Sequence, residues 1–442
     1  MIISLLKCVF RFALYFLLVF LVLPFIPLSL DFEPVAYKVD LPEFKGPLAV
    51  NKALDKVEYL LQNQIVGPES FEVREGSIYT GIIGGQLIKI TGKKITPVAK
   101  FGKKCEGQWE ESICGRPLGM RFDKAGKLYV LDAYYGLHVV DVKTEGQWEE
   151  SICGRPLGMR FDKAGKLYVL DGYYGLHVVD VKTGSVVPLV PNGVDLDGRP
   201  LLFPNDLVLD NDGAVYFTET STKWPLNKII YTIMEHENSG RLLKYDPKTR
   251  QTYVVLEDLH CPNGIELSHD GESVLFSETT QRRVLRYYVK GAHKGDLEVF
   301  VDNLPGEVDN VRRSKSGGYW LAFASGRSRG NLTVGDHLGP YPLVRKATVR
   351  LLHLLGSLLK YTATYFNWVP LKDVAARIDN GWILYETLPK YGLVVEVDAR
   401  GNVVRSLHSP GKKIGFISEV LEHDGYLYLG SFRNPFIGRV KA

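Results

Sequence analysis

Six times along this chain an apolar-alternating run leads into a tight turn at glycine and then into a β-branched or aromatic run. PNDLVLDNDGAVYFTET and PNGIELSHDGESVLFSET are two of them, and the six turn glycines are Gly76, Gly126, Gly213, Gly271, Gly318 and Gly425. Alternation with period two puts successive side chains on opposite faces of a strand, and D-G, A-G and G-G turns close hairpins. Repetition of one hairpin at a roughly fixed interval predicts radially arranged sheets, an all-β six-bladed propeller. A length of 442 residues with 44 Gly and 23 Pro suits one such ring.

In a propeller the innermost strand of each blade begins just ahead of its hairpin and faces the central axis. The residues at that point are Glu69, Gly119, Asn205 with Asp206, Asn263 with Gly264, Asp309 with Asn310, and Ser418 beside Glu419. Carboxylate and carboxamide oxygens thus converge on one tunnel, with no Cys or His among them. Hard oxygen donors in a many-coordinate ring suit Ca²⁺ and are poor ligands for zinc or copper. The plainer reading is that Asn and Asp sit there as turn residues bonded to their own backbone.

The net charge of +4 is spread along the chain without a Lys/Arg run, which argues against a nucleic-acid partner. Residues 12–30 carry no charge, Lys7 and Arg11 precede them, and Asp31 and Glu33 follow. This pattern predicts a cytoplasmic tail over 1–11 and an N-terminal transmembrane helix, a signal anchor, over 12–30. The rival, a cleaved signal peptide, lacks a small-x-small site before Asp31. Residues 31–66 read as a linker with an N-terminal helix and 67–442 as the propeller, placed in the lumen or outside the cell. There Cys105 and Cys114 are spaced to staple one loop by a disulfide, and Asn331-Leu332-Thr333 is a glycosylation sequon.

Residues 106–144 and 145–183 match at 38 of 39 positions, differing only at Ala133 and Gly172. Near-identity marks either a recent duplication or an assembly error in the sequence. The six-blade count makes one copy surplus, and a seventh blade would widen the axis and shift every ligand position. Imperfect accommodation, with one copy displaced to the rim, is therefore expected. A second irregularity is a basic, apolar segment over 325–375, helical in period, predicted as an insertion between the fifth and sixth blades. It could lie on a membrane surface, lid the tunnel, or pack on the ring. His138 and His177, in an alternating strand, are expected to face solvent. Glu219 and Glu278, just past their strands, read as possible blade caps. Gly326-Arg327-Ser328-Arg329-Gly330 has the spacing of a nucleophile elbow, but the following turn-rich residues cannot start the helix that motif needs.

The segments IVGPESF (65–71), FPNDLVL (203–209), CPNGIELS (261–268), GEVDNVR (306–312) and ISEVLEHDGYLYLGSFRNPF (417–436) resemble the strictosidine synthase-like group of six-bladed calcium propellers. The resemblance implies a membrane-anchored N-terminus, a propeller in the lumen or outside the cell, and arylesterase activity on simple esters. It is similar also to the paraoxonases and gluconolactonase-type propellers, whose axial calcium ligands match Glu69, Asn205, Asn263, Asp309 and Asn310. The duplicated unit departs from that pattern. So does the last blade, where the glutamate base of the alkaloid-forming synthases aligns with Ser418. Glu419 follows one residue later, on the opposite strand face. Condensing chemistry is therefore disfavoured. The expected activity is calcium-dependent hydrolysis of a small ester or lipid-like substrate, with Asp206 and Glu419 as catalytic candidates. A non-catalytic, calcium-stabilised propeller that binds a partner or lipid is the alternative.

Overall fold

The structure, a computed structural model, describes residues 10–11, 14–15, 17–92, 94–101, 103–104, 116–132, 136–140, 142, 148–152, 156–180, 183 and 185–442. Two compact units emerge. One comprises Asp40–Leu226, Asn238–Asn331 and Pro389–Ala442, the other Met1–Val39, Asn227–Glu237 and Leu332–Leu388.

The larger unit is a β-propeller of seven four-stranded antiparallel sheets, which corrects the expected six. Blades 1 to 5 span 72–100, 117–152, 156–191, 203–259 and 262–301, blade 6 spans 306–326 with 393–408, and blade 7 spans 419–441. The fourth strand of blade 7 is Glu58–Leu60, which pairs with Ile437–Lys441. One hairpin had no counterpart in the count of six because it belongs to the second copy of the repeat: both copies form complete blades, and neither is displaced to a rim.

Packing explains why a copied unit fits. Met120, Leu128, Val130 and Val140 of blade 2 pack on Tyr79, Leu87 and Phe101 of the blade 1 region. Their copies Met159, Leu167, Val169 and Val179 pack instead on Tyr129, Leu131 and Leu137 of blade 2. The copies of those last three, Tyr168, Leu170 and Leu176, meet Leu207, Val215 and Phe217 of blade 4. Each blade touches only its neighbours, so one apolar rear face serves on two different fronts, and a duplicated blade adds one more interface of the same kind. Further clusters join blades 4 and 5, 5 and 6, 6 and 7, and 7 and 1, which closes the ring.

Burial on both faces also corrects the two histidines. His138 and His177 are buried rather than solvent-facing, and the His138 ring lies 4.3 Å from that of Phe101. The turn assigned to Gly318 sits at Gly317, whose φ is +90°. Cys105 and Cys114 lie outside the described residues.

The smaller unit holds helices Ile229–Glu235, Val334–Leu338, Pro342–Tyr365, Val369–Asp379 and Trp382–Tyr385. Its long insertion leaves blade 6 between strands Tyr319–Gly326 and Leu393–Val397, so it interrupts one blade rather than separating two. The transmembrane helix expected over 12–30 is not found among the described residues. No helix among the described residues is long and apolar enough to cross a membrane. The helical path over 17–22 gives way to a 3₁₀ turn at Leu23–Phe25. Pro24 and Pro27 account for the break, since proline lacks the N–H that would continue the helix. Residues 31–66 contain 3₁₀ turns at Gly46–Leu48 and Leu54–Lys56 and no α-helix.

Candidate functional site

The innermost strands of blades 4, 5 and 6 share one irregularity. Pro204 pairs with Glu219 and Leu207 with Phe217, so Asn205 and Asp206 together stand opposite Thr218. Asn263 with Gly264, and Asp309 with Asn310, are placed the same way by shifts between Pro262 and Ile265 and between Val308 and Val311. Such a bulge leaves two consecutive residues out of the ladder, which frees both from strict alternation. Hydroxyls on the second strands secure the geometry from blade to blade. Thr218 Oγ1 donates to the Asn263 carbonyl at 2.7 Å, and Ser277 Oγ to the Asp309 carbonyl at 3.0 Å.

Side-chain bonds then orient the amides. Asn205 Nδ2 donates to Thr220 Oγ1 at 3.0 Å and Asn310 Nδ2 to the Ser418 carbonyl at 2.9 Å, leaving both Oδ1 atoms as acceptors. Glu69 lies 4.0 Å from Arg116, and its carbonyl accepts from Ser418 Oγ at 3.5 Å. In the duplicated blades the equivalent pairs are Leu118 with Gly119 and Leu157 with Gly158, whose side chains carry no donor oxygen. Gly158 instead makes room for Asp206, because a Cβ built there would lie 2.8 Å from Oδ1.

The two catalytic candidates differ in their surroundings. Asp206 is saturated: Oδ1 accepts from Leu207 N at 2.9 Å and lies 3.8 Å from Arg160, while Oδ2 lies 3.4 Å from Ile265 N and 3.6 Å from Arg312. Glu419 pairs with Arg312 through Oε2, at 2.8 Å from Nη2 and 3.0 Å from Nε. Among the described residues its Oε1 accepts only from Val420 N, at 3.2 Å. Burial raises the Glu419 carboxyl above the ordinary range, against Arg312 and Arg121. Asp309 is pushed furthest, to about 8, by burial first and then by the carboxylates of Glu69 and Glu419, with Arg312 opposing. Arg312, the last residue of the GEVDNVR segment but given no role there, thus links Asp206 and Glu419; its signal was a cation two residues beyond an axial Asp-Asn pair.

Other residues resolve into structural roles. Glu219 pairs with Arg241 at 2.7 Å, both fully buried, and accepts from Leu202 N, while Glu278 accepts from His260 N and Arg283, so both tie down their blades. Ser328 lies two residues past the antiparallel strand Tyr319–Gly326 and bridges to Asn331, and the next helix begins only at Val334, after that bridge rather than at the serine. Asn331 Nδ2 donates to Ser328 Oγ at 2.9 Å.

No three His, Cys, Asp or Glu side chains among the described residues are grouped to hold a metal, so a cation at the axis would depend on amide oxygens as well. The donor chemistry fits calcium: two carboxylates, three amides, and one of the carboxylates raised by burial first and then by the like charges of Glu69 and Glu419.

Two family models match the chain: strictosidine synthase-like, N-terminal, over residues 46–90, and strictosidine synthase, over 205–292. The first segment includes the closing strand and most of blade 1, the second blade 4 and most of blade 5, and the duplicated blades fall between them. The fold and axial site thus define a strictosidine synthase-like propeller. Proteins named adipocyte plasma membrane-associated protein from Salmo salar, Mus musculus and Homo sapiens are 37%, 33% and 33% identical to it. The alignments cover 90%, 98% and 93% of this chain and 80%, 90% and 83% of theirs. The chain belongs to the adipocyte plasma membrane-associated protein family. Among solved structures, a streptogramin B lyase aligns with a TM-score of 0.53 at 11% identity, over 88% of this chain and 99% of that one. Virginiamycin B lyase from Staphylococcus aureus aligns with a TM-score of 0.52 at 11% identity, over 88% and 99%. These two share the fold.

Proposed function

We propose that the protein is a calcium-dependent ester hydrolase of the arylesterase type, working in the axial channel. The observation that supports this reading is the placement of Asn205, Asn263, Asp309 and Asn310 at three equivalent bulges of innermost strands, with Glu69 close enough to act on Asp309. These five residues would hold the ion, which when bound would polarise the ester carbonyl and steady the charge that develops on its oxygen.

The remaining work falls to the chain's own groups. Arg312 fixes Oε2 of Glu419 and leaves Oε1 as the acceptor for the proton of an attacking water. The acyl carbon–alkoxy bond then breaks, and the proton passes from Oε1 to the departing alcohol. Asp206, with both oxygens engaged, positions Arg312 rather than moving a proton. The test is hydrolysis of phenyl acetate by the full chain, with calcium and with a chelator. Activity should need calcium, and Glu419→Gln should lower kcat by about 10²–10⁴ without changing the calcium-dependent rise in Tm. Turnover unaffected by both chelation and Glu419→Gln sinks the proposal.

The relatives' name associates them with the plasma membrane, and we extend a membrane association to this chain through its smaller unit. Leu17, Leu18, Leu21 and Phe25 are exposed, as are Leu358, Tyr361, Tyr365, Phe366 and Trp368. Exposed apolar and aromatic side chains in such number favour a lipid surface.

A further inference from the structure

Two residues beyond Gly119, Gly158 and Asn310, about 7 Å further along by the rise of a strand, three blades carry arginine. These are Arg121 and Arg160, copies of one another in the duplicated unit, and Arg312. All three are held alike. Nη1 donates to the preceding residue's carbonyl, Met120 at 2.7 Å, Met159 at 2.8 Å and Val311 at 2.9 Å. Their counter-ions are unequal. Arg121 has Glu72 at 3.2 Å and Arg312 has Glu419 at 2.8 Å, whereas among the described residues Arg160 has no carboxylate nearer than Asp206 at 3.8 Å, an oxygen pair that Arg312 shares. The three side chains keep 27%, 17% and 20% of their surface accessible.

We propose that Arg121, Arg160 and Arg312 form an anion-binding shelf in the axial channel, one layer from the calcium donor ring, which takes a carboxylate on the substrate. Guanidinium groups match carboxylate oxygens in a two-point, charge-assisted contact. A ligand whose ester carbonyl sits at the donor ring would place a second carboxylate, two or three carbons away, on the shelf. Duplication of the blade supplies the second guanidinium of an adjacent pair. Burial, together with the neighbouring guanidinium groups acting against Asp206, lowers the proton affinity of Arg160, as expected of a cation short of a partner.

The anion-binding half stands alone; the substrate half rests on the hydrolytic reading. Binding is read from Tm of the full chain with phenylacetate, with the neutral phenylacetamide, and with inorganic phosphate. Phenylacetate should raise Tm and phenylacetamide should not. Arg160→Gln should abolish the rise and Arg160→Lys should keep part of it. Equal effects of acid and amide on the wild-type chain overturn the shelf, as does an undiminished response in Arg160→Gln. A stronger response to phosphate than to phenylacetate overturns the carboxylate assignment. In turnover, 4-nitrophenyl hemisuccinate should show a KM about tenfold below that of 4-nitrophenyl acetate, and Arg160→Gln should erase the difference. Hydrolysis with equal KM values overturns the substrate assignment. Phenylacetate binding without hydrolysis of either ester supports the shelf and overturns the hydrolytic reading.

Discussion

At the scale of single residues, Gly119 and Gly158 occupy the same place in near-identical blades and face different neighbours. A Cβ at Gly119 meets the flexible end of Leu131 at 3.2 Å, whereas at Gly158 it meets Asp206 Oδ1 at 2.8 Å, Asp206 Cα at 3.0 Å and Leu207 N at 3.1 Å. Gly158→Ala should therefore cost about 1–3 kcal/mol in a denaturant melt and Gly119→Ala much less. Equal costs would mean that blades 3 and 4 do not approach as described. Asp309 makes a pH prediction. Its folded pKa, about 8, lies above the ordinary 3.8, so the unfolded chain releases this proton first as pH rises. With calcium chelated, this group's stabilisation is fully present below about pH 4 and is lost as pH rises to about 8. Asp309→Asn should remove that part of the Tm decline over pH 4–8, and an unchanged slope contradicts the assignment. The bulge pairs of blades 4 to 6 were legible as positions because those blades repeat them at a similar offset ahead of a turn. The bulges were not, because a two-against-one mismatch is set by the partner strand rather than by the run itself.

At the scale of elements, the hairpins were legible from alternation and turn glycines, while the facing of their side chains was not. His138 follows the alternation of its strand, yet the neighbouring chain covers that face too, so a polar residue there does not mark solvent. The helical insertion was equally legible from its period, but its attachment inside blade 6 depends on Leu393–Val397 pairing with Tyr319–Gly326, a contact across an insertion longer than the blade strands themselves. Within the smaller unit Arg350 Nη1 donates to the carbonyls of Leu23, Pro24 and Ile26 at 3.1, 2.9 and 2.7 Å. Those bonds satisfy groups that the proline-broken helix end leaves open. The exposed residues of helix Pro342–Tyr365 give the membrane proposal its test. Leu358→Glu combined with Tyr361→Glu should weaken co-flotation with phosphatidylserine-containing vesicles while leaving the propeller's calcium response intact. Undiminished flotation would remove this surface from the account.

At the scale of the whole molecule, the 39-residue repeat decides the architecture. Read against a six-bladed expectation it looked surplus. Its second copy nevertheless carries a full set of rear-face and front-face residues, and a ring built from nearest-neighbour interfaces has no means of rejecting it. The cost falls on the axis, where two adjacent blades present glycine and arginine while blades 4 to 6, with Glu69, present oxygen donors. That division puts the cation donors on one arc of the channel, while the proposed anion shelf, one layer along the axis, draws Arg121 and Arg160 from the duplicated blades and Arg312 from blade 6. The central claim is that the oxygen-bearing arc binds calcium despite the added blade. Titration calorimetry of the full chain with calcium tests it directly. The account predicts one ion per wild-type chain and, for an Asp309→Ala variant with unchanged circular dichroism, binding weakened at least about tenfold, equivalent to 1.4 kcal/mol. No calcium heat from the wild type, or the same isotherm from the variant, would contradict it.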